Sequence, residues 1–326
     1  MSYSKNTYLL AQGKIEKRRK DAEESLEMRR ADAYTKIPKL VEIQSRIAML
    51  GAEAVSAISK GAEAPAHIAK LAKESLAAQA ERKQLLIDAG LPEDYLEAHY
   101  TCSICNDTGI TDDGICNCQR EMLISTAKDE IEKYAPLRRS TFESYSLKYY
   151  PEPEDASGVS PQKRMGEIAT FCKDYASDFS TDSPSLFMHG ATGLGKTHLS
   201  LAIANYAIER GYGVIYGSAP NMFGMLEREH FGRQYNSERT YEQELLETDL
   251  LIIDDLGVEF STQFTVSCVY NIINSRMLSR KPTIISTNLT ARELEEKYTQ
   301  RITSRIIGNF ISLKFVGKDI RQLRSY

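Results

Sequence analysis

The sequence predicts an α/β domain with a mainly parallel sheet, carried behind a helical N-terminal region. Three observations predict it. From Arg164 onward, short apolar runs alternate with helical stretches. A glycine-rich turn ending in Lys-Thr sits between one such run and the helix after it. Another apolar run ends in two adjacent aspartates. Alternation of this kind builds a parallel sheet, because parallel neighbours need a crossover connection, usually a helix. The expected strands are SLFMHG (185–190), YGVIYG (212–217), DLLIIDD (249–255), PTIISTN (282–288) and FISLKFV (310–316).

The preceding elements read as follows. Between Lys14 and Arg30 charges are dense and apolar residues sparse (Ile15, Leu26, Met28), the pattern of a solvated helix. Ile37, Leu40, Ile43, Ile47 and Leu50 recur at three- and four-residue spacing, one face of an amphipathic helix, with Gly51 as its expected stop. Ile68, Leu71, Leu76 and Leu85–Ile87 predict a second such helix, ended by GLP at 90–92. These stripes suit either an internal core or a partner groove. Residues 119–135 predict one more helix, broken by Pro136, and YYPEPEDASGVSPQ (149–162) reads as a linker or a surface loop. The expected domains are therefore 1–135, with a cysteine module at 99–120, and 136–326.

With 326 residues, 42% hydrophobic and 26% charged, the composition is that of a soluble globular protein. A net charge of −4 gives no bulk signal for nucleic-acid binding, so any basic surface is local. The longest apolar runs are too short for a bilayer, and the N-terminus lacks a secretory pattern; a cytoplasmic, membrane-free protein is expected. Disulfides are then disfavoured. Four of the six cysteines nevertheless fall in CSICNDTGITDDGICNC (102–118). Cys102 and Cys105 are followed by a turn rather than the helix a thioredoxin-type pair opens. Cys116 and Cys118 form a second close pair. Two knuckles around a polar loop suit a structural Zn²⁺ held by four thiolates. Reduced surface thiols are the competing reading, and His99 is a weaker alternative ligand.

The chemistry is densest in HGATGLGKTHLS. Gly190, Ala191, Thr192, Gly193, Leu194, Gly195, Lys196 and Thr197 fit the P-loop pattern G-x-x-x-x-G-K-[ST], with His198 next in the helix. Glycines let backbone N–H groups wrap phosphates, and the helix N-terminus adds positive potential. Lys196 is expected to reach the β- and γ-phosphates of ATP, and Thr197 to ligate Mg²⁺. In LLIIDD (250–255) the two acids stand at the carboxyl end of a buried strand, where ligands bind in parallel sheets. Asp254 is expected to hold Mg²⁺, and Asp255 to orient or activate the attacking water. Asn288 ends another apolar strand, placed to meet the γ-phosphate or its water. Arg301 and Arg305 in RITSRI lie one helical turn apart, so either suits an arginine finger offered in trans; surface arginines are the plainer reading. Arg321 and Arg324 in GKDIRQLR are candidates to lean back onto bound phosphate.

The set GATGLGKTHL, LLIIDDLGVE, STNL, SRI and GKDIR resembles the DnaC/DnaI/IstB-like branch of AAA+ ATPases over residues 137–326. That resemblance implies a sheet order of 5-1-4-3-2 and ATP-dependent oligomers. It implies that Lys196 and Thr197 are Walker A residues, Asp254 and Asp255 the Walker B acids, Asn288 sensor 1, Arg305 the arginine finger and Arg321 sensor 2. The front of the chain, through EDYLEAHYTCSICNDTG, resembles helicase loaders of Gram-positive bacteria and their phages. This implies docking on a replicative DNA helicase and delivery to single-stranded DNA. REHFGRQY (228–235) offers basic and aromatic residues for that strand by composition, and an ordinary exposed helix explains it equally. An IstB-like transposition helper acting on duplex DNA, and a metal-dependent adaptor with an ATP switch, are the rival readings.

Overall fold

Alternating charge and helix-favouring composition carry a 32-residue helix, α1 (Lys5–Lys36), laced by exposed pairs such as Arg19–Glu23 and Lys36–Asp32 one turn apart. The structure is a computed structural model that describes residues 3–57, 64–152, 160–232 and 240–320. The chain divides into two units, residues 12–119 and residues 1–11 with 120–326. The boundary expected at 135/136 falls inside the second of these. Among the described residues, no helix is long and apolar enough to cross a membrane.

In unit 12–119, α2 (Lys39–Ala57) and α3 (Ala64–Asp88) pack along one another. Leu40 and Leu86 bury together with Ala33 and Leu96. Ile43 is also buried, as the periodicity required, whereas Leu76 of the second stripe is exposed. Helix α2 does not stop at Gly51. A glycine inside a helix costs about 1 kcal/mol relative to alanine, and packing against α3 outweighs that. The stop at 90–92 is as expected, with Gly90 in the left-handed region at φ 73°. A two-residue hairpin follows, β1 (Ile110–Thr111) and β2 (Gly114–Ile115), with Ile110 opposite Ile115. Helix α4 (Asn117–Glu132) comes next and ends before Pro136.

The second unit holds the sheet. After α5 (Pro161–Ser177) come β3 (Leu186–His189), α6 (Lys196–Glu209), β4 (Val214–Ser218), α7 (Ala219–Phe231) and α8 (Tyr241–Glu247). Then follow β5 (Leu250–Asp254), α9 (Gln263–Leu278), β6 (Thr283–Thr287), α10 (Ala291–Tyr298), α11 (Gln300–Asn309) and β7 (Ile311–Lys314). All five expected strands form. They pair in parallel in the order β4-β5-β6-β3-β7, which counted along this sheet is 5-1-4-3-2 read from the far edge.

Strands β5 and β6 are buried at every position, which explains their unbroken apolar character. Side chains alternate between faces. Leu250, Ile252, Ile284 and Met188 join the layer containing α5 and α6, while Leu251, Ile253, Ile285 and Phe187 join the layer containing α7, α9, α10 and α11. The result is a three-layer α/β/α fold with a glycine-rich loop between its first strand and the helix that follows.

Arg276 of α9 is buried and closes the amino edge of this sheet. Its guanidinium donates to the carbonyls of Leu245 (2.8 Å), Thr248 (2.9 Å) and Pro282 (2.6 Å) and to Thr283 Oγ1 (2.9 Å). Burial pulls its pKa down to about 9, partly opposed by Asp249. Replacing it leaves several buried carbonyls without donors. Arg276→Met should therefore lower unfolding free energy by about 3 kcal/mol or more; an unchanged urea midpoint would show that the edge does not depend on it.

Candidate nucleotide and metal sites

The glycine-rich turn links the end of β3 to the start of α6, at the edge where all five strands present their carboxyl ends. Its backbone can make the turn only because Gly190, Gly193 and Gly195 take φ of 145°, 73° and 84°. At Gly195 a Cβ would stand 2.9 Å from the Tyr145 ring. Lys196 is folded back onto the loop, its Nζ donating to the carbonyls of Gly190 and Ala191, both at 2.7 Å.

Two flanking segments clamp the loop. Tyr145 and Tyr150 share a hydroxyl–hydroxyl bond of 2.6 Å, and Tyr150 donates to the Leu194 carbonyl at 2.9 Å. From the other side, the Ile320 N–H donates to the Gly193 carbonyl. His198 donates from Nε2 to the Thr141 carbonyl at 2.8 Å. Between them lies a cleft of about 370 Å³. Thr192 through His198 line it, together with Asp255, Tyr145 and Ile320.

Asp254 ends β5 with 3% exposure. Its Oδ2 accepts from Thr197 Oγ1 (2.9 Å) and Tyr216 (2.8 Å), and its Oδ1 accepts from Ser286. A hydroxyl and a carboxylate in contact form a hard oxygen donor pair, so Thr197 and Asp254 fit Mg²⁺. Beside the carboxylate, the Tyr216 hydroxyl is held neutral, first by burial and then by the Asp254 charge.

Asp255 is a non-glycine residue at φ 54°, with its N–H on Ser286 Oγ at 2.9 Å and its residue exposed at the cleft. Asn288 is exposed just past β6 and is not among the cleft residues. Arg305 lies away from the cleft on α11. Its guanidinium bonds Asn274 Oδ1 at 3.0 Å and the Arg301 carbonyl, and sits 4.9 Å from the centre of the Tyr270 ring. Arg321 and Arg324 lie outside the described residues, as do Arg233–Tyr235 of the candidate DNA segment. Within that segment, His230 and Phe231 form a ring cluster with Phe264.

Sequence reasoning missed Tyr216, Ser286, Tyr145 and Tyr150. Ser286 and Tyr216 had a usable signal, since each is a polar side chain near the carboxyl end of an apolar run. The two tyrosines had none, because the loop residues they meet, Leu194 for Tyr150 and Gly195 for Tyr145, lie more than forty residues ahead.

Within unit 12–119, the Sγ atoms of Cys102, Cys105, Cys116 and Cys118 all lie within 4.8 Å of one another. The closest are Cys105–Cys118 at 3.4 Å and Cys102–Cys116 at 3.7 Å. These are far too long for disulfides. Thiolates around one tetrahedral Zn²⁺ stand about 3.8 Å apart, given a Zn–S bond of about 2.3 Å, so the set fits that ion. Burial opposes ionisation of Cys105, but the Gly109 N–H and the neighbouring thiols outweigh it and bring the thiol down to about 6. Cys118 is pushed up, first by burial and then by Cys105. Four thiolates so close need a cation among them.

The first knuckle is locked by Asp107, itself at φ 52°. Its carboxylate accepts the N–H of Thr101 (2.7 Å) and of Cys102 (3.1 Å) and pairs with Arg18 of α1 at 2.8 Å. His99 faces Asp94 and is not part of the cysteine cluster.

Residues 155–311 match the family of IstB-like ATP binding proteins. A protein described as replicative helicase loader DnaC from Buchnera aphidicola subsp. Baizongia pistaciae is 28% identical over 150 residues, covering 46% of this chain and 61% of that one. The protein of the same description from Escherichia coli is 27% identical over 144 residues, 44% of this chain and 58% of that one. The chain thus spans about three fifths of the length of these relatives. A crystal structure of the DnaC helicase loader superposes with TM-score 0.45 at 19% identity, over 56% of this chain and 99% of that one.

Lys196→Ala should lower ATP hydrolysis about a hundredfold or more, since the lysine of a P-loop stabilises the transferred phosphoryl group; undiminished phosphate release would refute the site. For the cysteines, metal analysis of the purified chain should find about one zinc per molecule, and loss of the metal on Cys105→Ser. A metal-free chain with the unit still folded would refute that assignment.

Proposed function

We propose that this chain, a DnaC/DnaI/IstB-like AAA+ ATPase, is a loader that carries a replicative DNA helicase to single-stranded DNA. The observation that carries the reading is the unit of residues 12–119. A P-loop ATPase needs no four-cysteine module, yet residues 12–119 build one. Ile104, Ile110 and Ile115 stand exposed around those cysteines, an apolar surface that suits protein docking. The relatives described as helicase loaders support the same partner.

In this reading Lys196 leaves the loop carbonyls for the β- and γ-phosphates of ATP. Thr197 and Asp254 hold Mg²⁺, which neutralises charge on the phosphates when bound. Asp255, held by Ser286, orients the attacking water and accepts its proton. Asn288 contacts the γ-phosphate or that water. Such a reaction needs positioning and charge neutralisation rather than a covalent intermediate. Arg305 serves a neighbouring subunit's ATP, which makes assembly ATP-dependent, and Arg321 acts as the second sensor. Zn²⁺ in the cysteine cluster fixes the shape of the docking surface. Arg228, His230 and Phe231 offer charge and rings to the DNA strand. A cytoplasmic location goes with this work.

The family match to IstB-like proteins favours one other reading, a transposition helper on duplex DNA. The purified full-length chain should bind the host's hexameric replicative helicase by analytical ultracentrifugation, and lose it on Cys105→Ser while keeping ATP binding. No complex with the helicase, together with ATP-dependent coating of duplex DNA, would transfer the assignment to the transposition class.

A further inference from the structure

The turn after β5 contains an acid that the hydrolytic scheme leaves unused. Glu259 lies four residues beyond Asp255, and its side chain is only 4% exposed. A buried carboxylate is costly unless it is fully paired. This one is: Oε2 accepts the Gly257 N–H at 2.9 Å, Oε1 accepts the Tyr298 hydroxyl, and the Lys297 ammonium stands 3.7 Å away. Lys297 also donates to the carbonyls of Gly257 (2.6 Å) and Glu259 (2.7 Å). Burial, and then the carboxylate itself, hold the Tyr298 hydroxyl protonated as a donor. The neighbours on either side, Val258 and Phe260, are thrown outward, Phe260 to 93% exposure.

Every one of these partners lies either on the turn 255–259 or at the last two residues of α10. The same turn is stitched to β6 at its other end. Asp255 N–H meets Ser286 Oγ, Leu256 N–H meets the Ser286 carbonyl, and Thr287 Oγ1 donates to the Leu256 carbonyl. Gly257, at φ 110°, admits no Cβ because Leu289 fills that space. The turn bearing Asp255 is thus suspended between β6, which leads into Asn288, and the end of α10.

We infer that Glu259 is a positioning residue for ATP hydrolysis: by clasping Tyr298 and Lys297 it fixes the turn from which Asp255 addresses water. The inference rests on the proposed role of Asp255. Its consequence is selective. Nucleotide binding runs through Gly190–Thr197 and should survive loss of the clasp, while turnover should fall.

The test uses the full chain. Tyr298→Phe removes one hydroxyl at unchanged shape, and Glu259→Gln removes the charge. Both should lower kcat about tenfold or more while Kd for a nonhydrolysable ATP analogue stays within about twofold. The double variant should be no worse than the poorer single variant, as expected for residues acting as one unit. Wild-type kcat in Tyr298→Phe, or a loss carried wholly by Kd, overturns the inference; Tyr298→Phe decides it even if Glu259→Gln fails to fold. Asp255→Asn run in parallel separates the two claims. If that variant is inactive while the clasp variants are unimpaired, the inference alone fails. If it turns over normally, the reading of Asp255 fails and takes the inference with it.

Discussion

Asp254 accepts three hydroxyls that arrive from three different elements: Thr197 from α6, Tyr216 from β4 and Ser286 from β6. A carboxylate buried at the end of a central strand is costly unless its oxygens are hydrogen-bonded. Three hydroxyl donors meet that requirement here. The order β4-β5-β6-β3 is what brings them together, because β5 lies between β4 and β6 and the P-loop leaves from β3 on the far side of β6. Fold and site are therefore one constraint. The sheet must adopt this order for the acid to be tolerated, and the acid gives the sheet edge its fixed arrangement of polar side chains.

What the sequence disclosed, and what it withheld, divides along that line. The five strands were legible because apolar runs such as Leu250–Ile253 are short and alternate with helical stretches. The P-loop was legible because its constraint is local: three positive-φ glycines and a helix start within eight residues. The stop at Gly51 was misread because a local penalty of about 1 kcal/mol for glycine was set against packing between α2 and α3 that no local pattern displays. Tyr150 stayed hidden for the same reason, since its partner Leu194 is distant in the chain. The docking of Arg305 on Asn274 and Tyr270 is likewise a long-range fact.

The cysteine module illustrates a third case, in which spacing announces chemistry but not its support. The four thiols could be picked out by position alone. Asp107 could not, although it ties Thr101, Cys102 and Arg18 together and holds the first knuckle against α1. A small unit with a core as slight as Ala33, Leu40, Leu86 and Leu96 gains much of its definition from such polar ties.

The self-satisfied state of Lys196 has a thermodynamic corollary. Because Gly190 and Ala191 already hold the ammonium, and Leu194 and Gly193 are already bonded to Tyr150 and Ile320, the cradle loses its conformational freedom when the chain folds rather than when nucleotide arrives. Ligation then exchanges one set of partners for another and acts chiefly on the folded population. By mass action, occupancy at a hundred times Kd adds about 2.7 kcal/mol to the unfolding free energy of this unit. Whatever ligand occupies the loop thereby also slows cleavage of the polypeptide by any protease that acts through the unfolded population.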